Sequence, residues 1–438
     1  MFQQTCISMK KYLLLLFLVW LLSWGAVAQT NSLIVDGPML FQNATSTITR
    51  KSASGYVVGH VAGPSGNYFY AYHAGDGTVP PTQSLVAKNP IDAEVYDMRV
   101  DGDYVFFCGF DNFASRGFCA RFQLSPFVSG GGISVQELRF NSFSVPLTRM
   151  AVLSNTGTDC TVAAVCETHI VQADFITFTG QEFPIPVVSP YPERLFDIVK
   201  ADGLVYVFGV DETHNTLTVR LFDTINNLYS PLLNKVHWYS GGGDLIVPYG
   251  ACRAVYMPDR AQIAVVCQSS IGDYPTNAAL VNIACIGLSS LQCEDRHTLT
   301  VQRRKDFRDL AYLETTGCLE LLCFDPTNGD TPMLEFRLDE PGGYVANGLV
   351  PDERYWSLDR MSGTRFVAGS GYRWFVQLSL PAAWEQSCLP RWQLPILRPQ
   401  LYSHSIIASV SVPAPSAVLN SYSGAAAVPF QLGNSCIH

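Results

Sequence analysis

Charge is scarce in this sequence, and positive charge is the scarcer sign. Only 15% of its 438 residues are charged, and 37 acids against 28 bases leave a formal net charge of −9. A nucleic-acid binder needs a basic footprint, so no nucleic-acid partner is expected. Past the N-terminus no apolar run is long enough to cross a bilayer as a helix. Nor does any apolar pattern at helical spacing run long enough to make a helix. No Cys-x-x-Cys occurs, and none of the eight histidines has a partner at metal-ligand spacing. No metal and no cofactor are expected. A Gly-x-Ser-x-Gly elbow and a phosphate-binding glycine loop are both missing, so the catalytic residues, if there are any, carry no motif.

What is present begins with a leader. Lys10 and Lys11 precede an apolar run over residues 12–24, and Ala26-Val27-Ala28 follows as a small-residue cleavage site. Residues 1–28 read as a secretory signal peptide, which predicts a secreted or periplasmic protein and no membrane span once the leader is gone. Removing it takes Cys6 away and leaves twelve cysteines. An even number in an exported chain invites disulfides.

The chain then repeats itself. Asp97-Met98-Arg99-Val100-Asp101-Gly102-Asp103 leads to an apolar strand ending at Gly109, and a second ends at Phe122. Asp197-Ile198-Val199-Lys200-Ala201-Asp202-Gly203 leads to Gly209 and Phe222 at the same offsets. Similar units open at Arg50, Asp97, Arg149, Asp197, Arg253, Asp309 and Asp359, on average about 51 residues apart, within the range of four-stranded propeller blades. Second strands fall at 55–59, 104–109, 161–166, 204–209, 262–267, 319–323 and 365–369. Third strands follow at 68–73, 118–122, 170–174, 217–222, 278–283, 332–337 and 374–380. Short strands with turn signals between them make an all-β chain.

On these repeats the sequence resembles secreted bacterial β-propeller repeat proteins of an uncharacterised type. The resemblance covers residues 50–380 and rests on repeat shape; the Trp-Asp ending of the WD type is absent. It implies an all-β β-propeller of seven blades, each of about four antiparallel strands, over residues 29–412. The tail 413–438 is left over as a strand plus coil that could help to close the ring. One blade would be completed from both chain ends, with Leu33-Ile34-Val35 and part of residues 391–412 as candidates.

Cys108, Cys166, Cys267 and Cys323 end the second strand of their repeats, where Phe208 and Ala368 stand in others. A place that takes Cys, Phe or Ala is a core place, so these thiols are expected buried and unpaired. Cys108 with Cys119, Cys285 with Cys293, and Cys388 with Cys436 are the pairs that could meet across hairpins or at the tail. Dense aromatics such as Tyr68-Phe69-Tyr70 read as core, or as a stacking surface where exposed.

The opening residues carry a pattern of their own. Arg50, Asp97, Arg149, Asp197, Arg253 and Asp309 alternate in sign, and Asp359 breaks the alternation. First strands of blades are innermost, so a structural ring of inter-blade ion pairs is expected around the channel. The break leaves Asp309 and Asp359 short of partners, which makes them the expected binding residues. Functionally the sequence points to a non-catalytic binding or scaffold module for a protein or glycan. The alternative is an enzyme acting on extracellular glycans, which would need two carboxylates converging at the channel mouth.

Overall fold

The computed structural model describes residues 32–36, 46–52, 54–63, 66–73, 84–89, 91, 93–141, 144–185, 193–211, 216–223, 228–229, 234–237, 247–270, 278–302, 306–314, 317–324, 331–338, 344–350, 357–360, 366–370, 373–377, 388–393, 396–399, 402–409 and 432–436; from Tyr344 onward it describes backbone alone. The leader 1–28 lies outside these residues.

Among the described residues the strands fall into seven sheets, numbered 1 to 7 here in chain order. Their first strands are Ser46–Lys51, Ala93–Asp101, Arg149–Asn155, Arg194–Ala201, Val247–Met257, Asp306–Leu313 and Ser357–Arg360. Each first strand packs beside the first strand of the next sheet, and that of sheet 7 packs beside that of sheet 1. The inner strands therefore form a closed ring, and the chain is a β-propeller, whose sheets radiate from a central channel. Among the described residues helix is confined to a short α turn, Leu124–Val128, which links two strands of sheet 2, and a 3-10 turn, Pro258–Arg260, in sheet 5.

The repeat motif sets the local geometry of each sheet. Asp202 and Gly203 both have positive φ and join Ala201 to Leu204, so they form a tight hairpin turn of the kind that Asp-Gly favours. The inner strands of sheets 2, 4 and 6 each bulge just ahead of the repeated Asp, between Val95 and Asp97, Leu195 and Asp197, and Phe307 and Asp309. The bulge explains the paired glycine. Gly109 lies opposite Val95, and a Cβ there would overlap the Glu94 carbonyl oxygen. Asp97 thus sits in the middle of its strand and not at its opening.

The core lies between sheets. Val105, Phe107 and Phe118 of sheet 2 pack with Val58, Phe69 and Ala71 of sheet 1, while Phe106, Cys108 and Cys119 face Val162 and Ala164 of sheet 3. Alternate residues of one strand fill the two neighbouring interfaces, because successive side chains point to opposite faces. The rings of Phe69 and Phe107 meet edge to face at 4.9 Å. Cys108, Cys166 and Cys267 are buried free thiols in these layers, and Cys119, Cys285 and Cys293 are free as well. Cys108 stands opposite Cys119, whereas Cys285 stands opposite Asp295. The side chains of Cys323, Cys388 and Cys436 lie outside the described residues, although the backbones of Cys388 and Cys436 are register partners.

Closure comes from the N-terminal end. Ser32–Asp36 pairs antiparallel with Arg373–Gln377 and so becomes the fourth strand of sheet 7. The C-terminal segments take different places. Cys388–Gln393 runs parallel to Ser32–Asp36, Ile396–Pro399 parallel to Ser84–Lys88, and Tyr402–Ser409 parallel to Ile133–Arg139. They extend sheets 7, 1 and 2 at their outer edges, and Leu432–Cys436 pairs antiparallel with Cys388–Gln393 to lengthen sheet 7 once more.

Candidate functional site

Asp97, in the middle of the sheet 2 inner strand, is bonded through both carboxylate oxygens. Its Oδ1 accepts the backbone N–H of Met98 at 2.9 Å and a guanidinium N–H of Arg50, from sheet 1, at 3.1 Å. Its Oδ2 accepts the N–H of Met150, from sheet 3, at 3.0 Å and lies 3.1 Å from Arg99 Nη2. One buried carboxylate thus joins three sheets. Burial pushes the carboxyl up, but the charges of Arg99, Arg149 and Arg50, with the Met150 N–H, outweigh it and hold the group below the usual carboxylate range.

Asp197 repeats the backbone half of this arrangement. Its Oδ1 accepts Ile198 N–H at 2.8 Å and its Oδ2 accepts Ala254 N–H, from sheet 5, at 2.7 Å. The arginine half is missing. Among the described residues no guanidinium comes within ion-pair distance of it, and burial outweighs the attraction of Arg149 and Arg253 to leave its carboxyl raised. The place of Arg99 is taken here by Val199.

The expected pairs are only partly brought together. Arg50 meets Asp97, and its other terminal nitrogen lies 3.9 Å from Asp309. Arg253 Nε lies 3.7 Å from the other oxygen of Asp309. The described contacts thus run Arg99–Asp97–Arg50–Asp309–Arg253, alternating in sign. Arg149 stands outside this chain: its Nη1 donates to the carbonyls of Tyr96 at 3.0 Å and Thr148 at 2.8 Å, and its buried Nε has no hydrogen-bond partner. Asp309, expected to be short of partners, is flanked by two arginines, because the long guanidinium arm of Arg50 reaches past the place of sheet 7. Among the described side chains of these ring acids, the one with no arginine at ion-pair distance is Asp197. Asp359 lies opposite Val367 in sheet 7, and its side chain is outside the described residues.

Arg99 was not singled out by the spacing of the repeat openings. The signal was there: residues two apart on a strand share a face, so Arg99 had to point the same way as Asp97.

Sheet 2, which carries Asp97, also bears two exposed aromatics. Tyr96 is the extra residue of the sheet 2 bulge, 38% exposed, with its hydroxyl 2.6 Å from Glu94 Oε2. Burial first and the neighbouring Glu94 second push that hydroxyl up to about 12. Phe113 is 89% exposed, in the loop between the second and third strands of sheet 2. Antiparallel order puts this loop at the end of the ring where the inner strands begin. The loop is fixed from within: buried Asp111 accepts the N–H groups of Phe113 at 2.9 Å and Ala114 at 3.0 Å, and its other oxygen lies 2.6 Å from Arg139, which also binds Glu137.

No family model matches this chain, and no curated protein matches it. Among solved structures it is similar to the β-propeller domain of Cps50 (Swd1) from Myceliophteria thermophila, at 11% identity and a TM-score of 0.48, over 76% of this chain and 98% of that one. Hydrazine synthase from Kuenenia stuttgartiensis gives 14% identity and 0.46, over 74% and 92%. The extracellular domain of a hybrid two component system from B. thetaiotaomicron gives 9% and 0.44, over 76% of this chain and 38% of that one. Scores below 0.5 carry no argument about function, and the propeller assignment rests on the closed ring of sheets. No helix among the described residues is long and apolar enough to cross a membrane.

Proposed function

We propose that this chain is an exported, non-catalytic propeller that binds a protein or glycan at the end of the ring where the inner strands begin. The observation that carries the reading is the pair of exposed aromatics there, Tyr96 and Phe113, each on backbone held in place by a bulge or by a buried carboxylate. A rigid aromatic loses little freedom on binding and offers a large apolar face, which suits both a sugar ring and an apolar pocket on a protein. The inner acids support the same reading. Asp97, Asp197 and Asp309 are engaged by backbone N–H groups or arginines and act as frame. In this reading Asp309 belongs to that frame, and Asp359 is the ring acid a ligand could meet.

The test is a glycan-array screen of the protein, with an assay for released sugar on every hit, run beside Tyr96→Ala and Phe113→Ala. Binding without turnover, weakened about tenfold or more by either variant, is expected, as for a hot-spot aromatic. Turnover of a bound glycan would favour the enzyme reading, and unchanged binding by both variants would remove the aromatics from the site.

A further inference from the structure

The alternating chain of charges around the channel ends at Arg99 on one side and at Arg253 on the other. Arg149 lies in the arc between them. That arc holds three guanidiniums. Arg99 pairs with Asp97 and Arg253 lies near Asp309, while Asp197, between Arg149 and Arg253, has both oxygens already given to backbone N–H groups. Arg149 and Arg253 are built alike. Each begins its reach by donating Nη1 to the carbonyl of its own preceding residue, Thr148 at 2.8 Å and Cys252 at 2.7 Å. The two occupy matching places on the inner strands of sheets 3 and 5, on either side of Asp197. Arg253 still has Asp309 at 3.7 Å. Arg149 has no carboxylate at ion-pair distance among the described residues, and its Nε is buried without an acceptor.

We propose that Arg149 and Arg253 form a site in the channel for a small oxyanion, a carboxylate or a phosphate. A planar guanidinium offers parallel N–H groups that match two oxygens of such a group, and the unfilled Nε–H of Arg149 is one of them. An anion there would supply the acceptor that Nε lacks and a counter-charge at ion-pair distance from Arg149. The two cations feel one another now: burial first and the Arg149 charge second bring Arg253 down to about 10. Asp197 resists ionising in the same surroundings. Arg99 closes the arc through its bonds to Asp97 and to the Met150 carbonyl, at 3.1 Å each. The site lies in the channel and not on the exposed aromatics, so either can fail without the other.

Titration calorimetry with inorganic phosphate and, separately, with acetate tests this, at ionic strength held constant with chloride. Wild type should bind at least one of the two saturably at a single site. Phosphate alone would assign a phosphate ligand, acetate alone a carboxylate, and both the shared chemistry. Arg149→Met should weaken binding about tenfold or more. Arg149→Lys keeps the charge without the fork and should fall between the two. Arg194→Met, at an exposed arginine, and Phe113→Ala should bind as wild type does. Thermal melting without added anion checks that each variant is folded. If Arg149→Met does not fold, Arg149→Lys decides, and affinity equal to wild type overturns the proposal. So does the absence of a saturable signal from either anion, or an equal loss in Arg194→Met, which would mean screening of surface charge.

Discussion

Asp97 and Asp197 occupy the same place in two copies of one repeat, yet they are held differently. Both follow a bulge, both accept the N–H of the next residue, and both reach into the following sheet for a second N–H. Only Asp97 adds two guanidiniums, from Arg50 and Arg99. Arginines decide the sign: with them a fully buried carboxyl falls below its ordinary range, and without them it rises. The repeat therefore specifies the backbone bonds, and single residues outside its pattern specify the charge state. Arginine pairing is fullest around Asp97 and lapses around Asp197 and Arg149.

The largest expected effect separates the two acids directly. Asp97→Asn leaves Arg50 partly unpaired in a buried site and should cost roughly 3–5 kcal/mol. Asp197→Asn loses one backbone hydrogen bond and no ion pair, and should cost roughly 1–2 kcal/mol. Urea unfolding at neutral pH measures both, and equal costs would break the comparison.

Their pH dependences should run in opposite directions. The lowered carboxyl of Asp97 contributes stability that is fully present above the unfolded value, about 3.9, and is lost as pH falls through its lower folded value. The raised carboxyl of Asp197 contributes stability present below that unfolded value and lost as pH rises through its higher folded one. The cost of Asp97→Asn should therefore grow from acid to neutral pH, while that of Asp197→Asn should shrink. Unfolding titrations of both variants across the acid range read the two slopes, and slopes of the same sign would contradict the account.

Smaller effects come from exchanging the residues that differ. Arg99→Val makes the Asp97 repeat resemble the Asp197 repeat. Arg99 is partly exposed, so the cost should be about 1 kcal/mol or less. The Asp97 carboxyl should move up. Val199→Arg, the reverse exchange, should move the Asp197 carboxyl down with a stability change of under about 1 kcal/mol. Carboxyl carbon shifts followed by NMR titration report both, and no movement at Asp197 would mean that the new arginine does not reach it.

The propeller was legible because its signal is local and recurs. The offsets from Asp97 to Gly109 and Phe122 mark a bulge, a hairpin and a third strand, and the same offsets at Asp197 mark the same three things. Leu33-Ile34-Val35 was legible as a closing strand because an isolated apolar strand before the first repeat needs a sheet to join. The places of Ile396–Pro399 and Tyr402–Ser409 were not legible, since parallel pairing at the outer edges of sheets 1 and 2 has no sequence-local mark. The alternating signs gave the residues of the ring but not all of its bonds. A guanidinium arm is long enough to pass over one sheet, so Arg50 reaches Asp309, while Arg149 turns to the carbonyls of Tyr96 and Thr148. Order along the chain does not encode that choice.

The central claim is that an arginine from a neighbouring sheet and the bulge carboxylate lock the ring together. A double-mutant cycle of Arg50→Met, Asp97→Asn and both together tests it most directly, read as unfolding free energies at neutral pH. The account predicts a coupling well above the roughly 1 kcal/mol of an exposed pair, and above that of the same cycle on Arg149 and Asp97. A coupling near zero for Arg50 and Asp97 would contradict it.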